Sequence, residues 1–192
     1  MNNSVEVTNL SKSFGLKEAV KNINFKIKEN EIIGLLGPNG CGKTTTIGML
    51  LGLIKSSNGE IIINGMKIDE KRIDILKEIN FISPYIELPK KLTVKQNLIV
   101  YGKLYGVKNL NSRIEYLANK LRLEDLLKKI TGELSSGQKN RVSLAKSLIN
   151  EPNVLFLDEP TASLDPEVGD FVRTFLENYK KEKKISILLA SH

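Results

Sequence analysis

Apolar and polar residues alternate in two short stretches near the start of the chain. Val5-Glu6-Val7 has apolar residues at every second position, and residues 23–27 repeat the pattern with Ile23, Phe25 and Ile27. A period of two is typical of strands with one buried face. The pattern predicts a small antiparallel sheet near the N-terminus.

Three later stretches are apolar on both faces: residues 32–36, 154–157 and 185–190. The first is followed directly by the turn residues Gly37-Pro38-Asn39-Gly40. Continuous apolar runs bounded by turn residues are typical of buried strands in a parallel sheet. We therefore expect these three runs to form the centre of such a sheet.

The middle of the chain has a helical pattern instead. Thr93 and Gln96 have the spacing of a capping box, and Gly106 is a suitable C-terminal stop for the helix that they begin. A second apolar stripe at helical spacing runs from Ile114 to Leu127. This part of the chain is therefore predicted to be all-helical.

The order of the predicted elements indicates an α/β fold with a helical insertion. Asp165 and Pro166 are residue types favoured at the N-cap and first position of a helix, so a further helix is expected between the last two strands. The insertion covers about residues 85–149, and residues 1–84 and 150–192 form the core. With 192 residues the chain has the length of one domain.

The loop after the first apolar run has the pattern of a phosphate-binding loop. Residues 37–44 fit G-x-x-x-x-G-K-[ST] at every fixed position. Its glycines allow successive N–H groups to face an anion at a helix N-terminus, Lys43 adds a positive charge, and the Thr44 hydroxyl is a ligand for Mg²⁺. The predicted phosphate-binding residues are Gly37, Pro38, Asn39, Gly40, Cys41, Gly42, Lys43, Thr44 and Thr45.

An acidic pair, Asp158 and Glu159, follows the second apolar run. Ligands of open α/β sheets bind outside the carboxyl ends of the strands, so this pair is expected to face the phosphate loop. Asp158 is the candidate Mg²⁺ ligand together with Thr44. Glu159 is the candidate base for an attacking water.

The composition of the chain says less about its function than these motifs do. The net charge of +7 is compatible with a nucleotide, a nucleic acid or an anionic membrane face as partner. A single cysteine fits a reducing compartment. No apolar run approaches the roughly 18 residues of a membrane span, and residues 1–5 do not resemble a signal peptide. We expect a cytoplasmic location.

The segment Leu134-Ser135-Ser136-Gly137-Gln138 distinguishes among the classes that share a phosphate loop. Ser135 and Gln138 have capping-box spacing, and a helix that begins Ser-Ser-Gly offers hydroxyl and N–H groups to a second anion. Such a chain can bind nucleotide at one site and contact another chain's phosphates with the other.

With these motifs in order, the sequence resembles the nucleotide-binding domains of ATP-binding cassette (ABC) ATPases over essentially its whole length. The resemblance implies a P-loop NTPase core with a mainly parallel sheet, an N-terminal antiparallel subdomain and a helical insertion. The matching segments are the Walker A loop at 37–44, Walker B at 154–159, the signature at 134–138 with Ser136 where glycine is more usual, the D-loop at 163–165, the adenine-stacking aromatic Phe14 and the switch-histidine segment ending at His192.

One position departs from the family pattern. The family has a glutamine about eight residues before an L-T-V-x-x-N-L segment, which is present here as residues 92–98. Pro84 stands where that glutamine is expected, and proline has neither a polar side chain nor an N–H group. The departure concerns the coordination of Mg²⁺ and water and the coupling to a transport partner.

The resemblance implies an ATPase subunit at the cytoplasmic face of a membrane, powering an integral-membrane permease. Two ATP-binding subunits would form a head-to-tail dimer around ATP and Mg²⁺, and no nucleic-acid partner is expected. Glu159 and His192 would act in hydrolysis, with Asp165 in the D-loop. The signature residues Ser135, Ser136, Gly137 and Gln138 would contact the nucleotide of the other subunit. The wording around the phosphate loop is similar to exporter-type subunits.

Two alternatives remain open at this stage. One is an ABC-type ATPase that acts on ribosomes or nucleic acid, although neither a second cassette nor a long coiled-coil insertion is present. The other is a truncated nucleotide-binding module without turnover, because family domains usually continue beyond the histidine at which this chain stops. A G protein is disfavoured, since the sequence has no N-K-x-D segment.

Overall fold

The computed structural model of the chain describes residues 2–83, 86–161 and 164–191. The strands in these ranges are β1 (Asn3–Phe14), β2 (Lys17–Lys28), β3 (Ile32–Leu36), β4 (Asn58–Ile63), β5 (Met66–Lys67), β6 (Ile79–Ile82), β7 (Val154–Asp158) and β8 (Ser186–Ser191). The helices are α1 (Lys43–Leu50), α2 (Ile68–Glu78), α3 (Val94–Leu104), α4 (Leu110–Leu121), α5 (Ser136–Ser147) and α6 (Pro166–Lys183).

The chain divides into two compact units. The first comprises residues up to Phe81, Asn153–Glu159 and residues from Asn178 onward; the second comprises Ile82–Pro152 and Pro160–Glu177. The first unit contains nearly all of the strands, and the second contains α3, α4 and α5.

The N-terminal strands form the antiparallel sheet that their alternation predicts. The strand order is β2-β1-β4-β5, and Val5 lies opposite Ile27 while Val7 lies opposite Phe25. Val5, Val7 and Ile27 are buried, whereas the intervening polar residues are not. The prediction of a half-buried antiparallel pair is confirmed.

The three apolar runs form β3, β7 and β8, which together with β6 make a second sheet in the order β3-β8-β7-β6. β8 pairs in parallel with both β3 and β7, which confirms the predicted parallel sheet. The prediction that all three runs are buried is wrong for β3, where Ile32 is 38% and Leu36 73% exposed. β3 lies at the end of the sheet order, so one face of its side chains packs against the core through Ile33 and Leu35 while the other does not.

A continuous hydrophobic core fills the first unit. It combines residues of the antiparallel sheet with α1 and with the buried strands β7 and β8; examples are Leu10, Ile63, Leu50, Phe156 and Leu188. Full burial of side chains of this size contributes about 1.5–3 kcal/mol each. The phosphate loop and the Asp158 segment are both joined directly to these core elements.

In the second unit the predicted helices form with the expected caps. Thr93 Oγ1 accepts from the Gln96 amide at 3.2 Å, Gln96 Oε1 accepts from the Thr93 amide at 2.8 Å, and α3 ends just before Gly106, whose φ is +66°. The stripe from 114 to 127 is not one helix. α4 stops at Leu121 because Arg122 adopts a left-handed conformation, and Glu124–Leu126 forms a separate 3-10 turn.

Candidate functional site

The phosphate loop connects the edge strand β3 to helix α1, as its pattern predicts. Gly40 and Gly42 have φ values of +80° and +98°. A Cβ on Gly42 would lie 2.4 Å from the backbone oxygen of Ala19. This position therefore requires glycine for two reasons: its left-handed backbone, and the close approach of strand β2.

The N-terminus of α1 and one buried cation line this loop. The Thr46 amide and hydroxyl both donate to Gly42 O, at 2.8 and 2.9 Å, and close the first turn. Lys43 is buried, and its Nζ donates to Gly37 O at 2.6 Å and Pro38 O at 3.1 Å. An ammonium group held across the loop beside a helix N-terminus is suited to binding phosphate.

The residues of the loop differ in how far they are exposed to solvent. Pro38, Asn39, Gly40 and Cys41 are exposed, and the Cys41 amide donates to Pro38 O at 3.3 Å. Thr45, in the first turn of α1, is half-buried. The tip of the loop is therefore open to solvent.

The acidic strand end meets the loop. Thr44 Oγ1 donates to Asp158 Oδ2 at 3.0 Å, although 114 residues separate the two side chains in sequence. Asp158 is the last residue of β7 and is only 3% exposed. The sheet topology thus brings together the hydroxyl and the carboxylate proposed as metal ligands.

This pair of oxygens fits Mg²⁺, which prefers hard oxygen ligands and usually combines one or two carboxylates with phosphate oxygens and water. Among the described residues, no group of three or more His, Cys, Asp and Glu side chains could hold a metal ion. The Thr44 hydroxyl and the Asp158 carboxylate would together supply two oxygen ligands to such an ion.

Glu159 follows Asp158 in an uncommon backbone conformation. Its φ is +48°, in the left-handed region that residues other than glycine seldom adopt. Its amide donates to Ala190 O at 3.0 Å, so β8 holds this conformation in place. Strained backbone of this kind concentrates at functional sites.

The serine-rich segment in the second unit begins helix α5 with a complete capping box. Ser135 Oγ accepts from the Gln138 amide at 3.3 Å, and Gln138 Oε1 accepts from the Ser135 amide at 3.1 Å. Ser135 and Ser136 are exposed, whereas a Cβ on Gly137 would lie 3.3 Å from Val168 Cγ2. The helix start is fixed and its hydroxyl groups remain accessible.

Two further predicted residues, Phe14 and Asp165, are exposed to solvent. Phe14 ends β1 and is 52% exposed, and Asp165 is exposed just before α6, where its backbone oxygen accepts from the Gly169 amide at 2.9 Å. Ser163, Pro84 and His192 lie outside the described residues.

The sequence does not predict one neighbour of Phe14. Lys12 Nζ lies 4.9 Å from the centre of the Phe14 ring and donates to Lys55 O at 2.7 Å. Lys12 pairs with Val20, whose side chain is close to Gly42, so this hairpin is adjacent to the phosphate loop. The i, i+2 spacing of a basic and an aromatic residue on a strand is the only signal in the sequence.

Comparisons with known proteins agree with this geometry. The sequence model of the ABC transporter family matches residues 20–162, and the chain belongs to this family. Its structure is similar, with a TM-score of 0.88 and 26% identity, to the dimeric post-hydrolysis state of the ATP-binding cassette MJ0796 bound to ADP and Pi, covering 98% of this chain and 88% of that one. The fold is the P-loop NTPase fold of ATP-binding cassettes.

Two curated relatives are transport proteins. The chain is 37% identical over 195 residues to the bacitracin transport ATP-binding protein BcrA of Bacillus licheniformis, covering 100% of this chain and 62% of BcrA. It is 35% identical over 190 residues to the Nod factor export ATP-binding protein I of Burkholderia lata, covering 98% of this chain and 62% of that protein. The chain thus spans about three fifths of the length of these relatives. Among its described residues, no helix is both long and apolar enough to cross a membrane.

Proposed function

We propose that the chain is the ATP-binding and ATP-hydrolysing part of a membrane transporter, working by ATP-driven head-to-tail dimerisation. The observation that carries this proposal is the contact between Thr44 and Asp158 beside the buried Lys43. It combines a phosphate cradle with two hard oxygen ligands. Family membership and the transport relatives support the connection to a transporter.

In the proposed site the loop amides and Lys43 bind the phosphates, and Phe14 stacks on the adenine. Thr44 and Asp158 would hold Mg²⁺, which neutralises charge on the phosphate oxygens when bound. Glu159 accepts the proton of the attacking water, and His192 assists at the γ-phosphate. These roles are assigned residue by residue from the family motifs.

The signature residues complete the site from a second subunit. Ser135, Ser136, Gly137 and Gln138 of one chain would contact the γ-phosphate bound to the other, with Asp165 at the same interface. The exposed hydroxyls at the start of α5 support this role, since they are fixed and accessible. Loss of the γ-phosphate then removes the contact that joins the subunits, and the dimer reopens.

The test is steady-state ATPase activity together with Glu159→Gln. The amide cannot accept the proton, so we expect turnover to fall by about 10²–10⁴-fold while ATP binding persists and an ATP-bound dimer accumulates on size exclusion. Glu115→Gln, at an exposed position of α4, is the matched control and should keep full activity. Full turnover in the Glu159 variant would exclude the base role.

ATP binding without measurable hydrolysis by the unaltered chain would instead favour a nucleotide-binding module without turnover. We further propose an integral-membrane permease as partner, contacted by the helical insertion at 85–149 on the cytoplasmic face. Export is the direction that the Nod factor relative supports. Co-purification with a membrane protein tests this, and recovery with ribosomes or nucleic acid would contradict it.

A further inference from the structure

Two segments of the second unit form a short paired ribbon, here called the basic ribbon and defined as residues 87–95 and 127–133. An antiparallel bridge joins Thr93 to Ile130. The backbone bonds of the ribbon are Val94 N to Lys129 O at 3.0 Å, Lys95 N to Leu127 O at 3.0 Å, Thr131 N to Leu92 O at 2.9 Å and Gly132 N to Lys90 O at 3.0 Å. The two segments are therefore held in register.

The buried side-chain amide of Asn97 connects the two segments of the basic ribbon. Asn97 is fully buried in the first turns of α3, and its Nδ2 donates to Thr131 Oγ1 at 2.8 Å. The same nitrogen lies within hydrogen-bond distance of Pro89 O at 3.1 Å and Thr93 O at 3.3 Å. One side chain thus contacts both segments, and the ribbon is pre-organised rather than a pair of loose loops.

Lysines outnumber carboxylates in the ribbon by five to two. Its only acidic residues are Glu87 and Glu133, and Glu87 is already paired with Lys90 at 2.7 Å. Four further lysines are exposed, and none forms an ion pair with any residue that the structure describes. They are Lys91, Lys95, Lys128 and Lys129.

Lys95 occupies a position that is unfavourable for a cation. The register of the bridge sets Lys95 opposite the 127–129 segment, and like charges directly across a strand pair repel each other. Lys95 also lies in the first turn of α3, where the helix dipole disfavours a cation, and that turn contains no acidic residue. A rigid cluster of unpaired lysines is stabilised by an external anion.

The residue types of the ribbon indicate which class of anion it binds. The ribbon has no arginine and no aromatic residue, so it lacks the bidentate and stacking groups that recognise nucleic acids. It does expose an aliphatic side chain, Ile130, which is 41% exposed between the lysines. Lysine clusters combined with aliphatic side chains suit the interface of an anionic bilayer.

We propose that the basic ribbon binds the anionic phospholipid headgroups of a membrane surface. Each lysine near such a surface contributes about a fivefold gain in partitioning. This contact goes beyond the proposed ATPase function, and none of the four lysines belongs to the nucleotide site. It would orient the second unit toward the bilayer independently of ATP hydrolysis.

The test is co-sedimentation of the full chain with phosphatidylcholine vesicles that contain about 30% phosphatidylglycerol. The variant carries Lys91→Gln, Lys95→Gln, Lys128→Gln and Lys129→Gln. The matched control carries Lys28→Gln, Lys71→Gln, Lys108→Gln and Lys181→Gln, all exposed and all outside the ribbon. Each set lowers the net charge from +7 by four, to +3, so total charge is the same in both.

We expect the ribbon variant to bind these vesicles at least about tenfold more weakly than the unaltered chain, and the control to bind within about twofold. Raising the salt from about 0.1 M to about 1 M shortens the Debye length from about 10 Å to about 3 Å and should abolish binding. Unchanged binding of fluorescent ATP by both variants would show that each is folded.

Three results would overturn the proposal. The first is an equal loss of vesicle binding in the ribbon and control variants, which would show that binding depends only on the net charge of the protein. The second is equal binding to pure phosphatidylcholine vesicles. The third is ribbon-dependent binding to polyglutamate without binding to the anionic vesicles, which would make the partner an acidic protein segment. Failure of ATP hydrolysis would leave the expected vesicle result unchanged.

Discussion

Alanine substitutions at two loop glycines separate backbone strain from steric contact. Gly40 and Gly42 both have left-handed φ values, and alanine in this region costs about 1–2 kcal/mol. A Cβ on Gly40 meets nothing within 4 Å, whereas one on Gly42 would lie 2.4 Å from Ala19 O and 3.0 Å from Val20 Cγ2. Overpacking of this kind adds about 1–3 kcal/mol. Gly42→Ala should therefore cost about 2–5 kcal/mol, and Gly40→Ala about 1–2 kcal/mol.

The assay is urea unfolding of the nucleotide-free protein, which avoids any contact between the new methyl groups and a phosphate. The two variants should differ in free energy of unfolding by about 1–3 kcal/mol. In a thermal scan, this corresponds to a difference of roughly 2–12 °C in unfolding midpoint for a chain of this length. Gly42→Ala should also lose ATP binding, because the loop must move away from β2. Equal destabilisation by the two variants would refute the close contact between Gly42 and Ala19.

Three further perturbations follow from the structure. Arg113→Met should lower the free energy of unfolding by about 2–4 kcal/mol, because the buried guanidinium donates to Leu148 O, at the C-cap of α5, and pairs with Glu151 at 2.8 Å. Glu151→Gln, at the exposed partner, should cost less than about 1 kcal/mol in urea unfolding, and equal losses would contradict this assignment. Burial lowers the pKa of Lys146 to about 8 from 10.5. The folded state therefore binds fewer protons than the unfolded state between these values, and the unaltered chain should gain stability relative to Lys146→Met as the pH rises through this window. A stability difference between the unaltered chain and Lys146→Met that does not change with pH would contradict the lowered pKa of Lys146. ATP should slow maleimide labelling of the exposed Cys41, and an unchanged rate would speak against phosphate binding at this loop.

Local patterns made several elements predictable. The capping boxes at Thr93 and Ser135 are built from residues three positions apart, so their geometry follows from sequence spacing. The phosphate loop is equally local, since its glycines, Lys43 and Thr44 are contiguous. The starts of α3, α5 and α6 and one strand pair of each sheet could therefore be predicted without knowledge of tertiary contacts, whereas α2 and strands β4 to β6 were not predicted.

Such local patterns do not predict contacts between residues that are distant in sequence. Strand order leaves β3 at the sheet edge and exposes Ile32 and Leu36, although their apolar run matches that of a buried strand. The left-handed conformation of Arg122 divides one apolar stripe into a helix and a separate turn. Neither outcome has a signature in the residues themselves, because each depends on which neighbours the folded chain supplies.

The chemistry of the candidate site divides in the same way. Residue types and spacing alone predicted a phosphate loop, a hydroxyl suited to Mg²⁺ and an acidic strand end. Only the tertiary structure decided that Thr44 and Asp158 meet at 3.0 Å and that Gly42 abuts β2. The reason is physical: parallel pairing of β8 with both β3 and β7 brings their carboxyl ends to one edge of the sheet, although β3 and β7 lie more than a hundred positions apart in sequence.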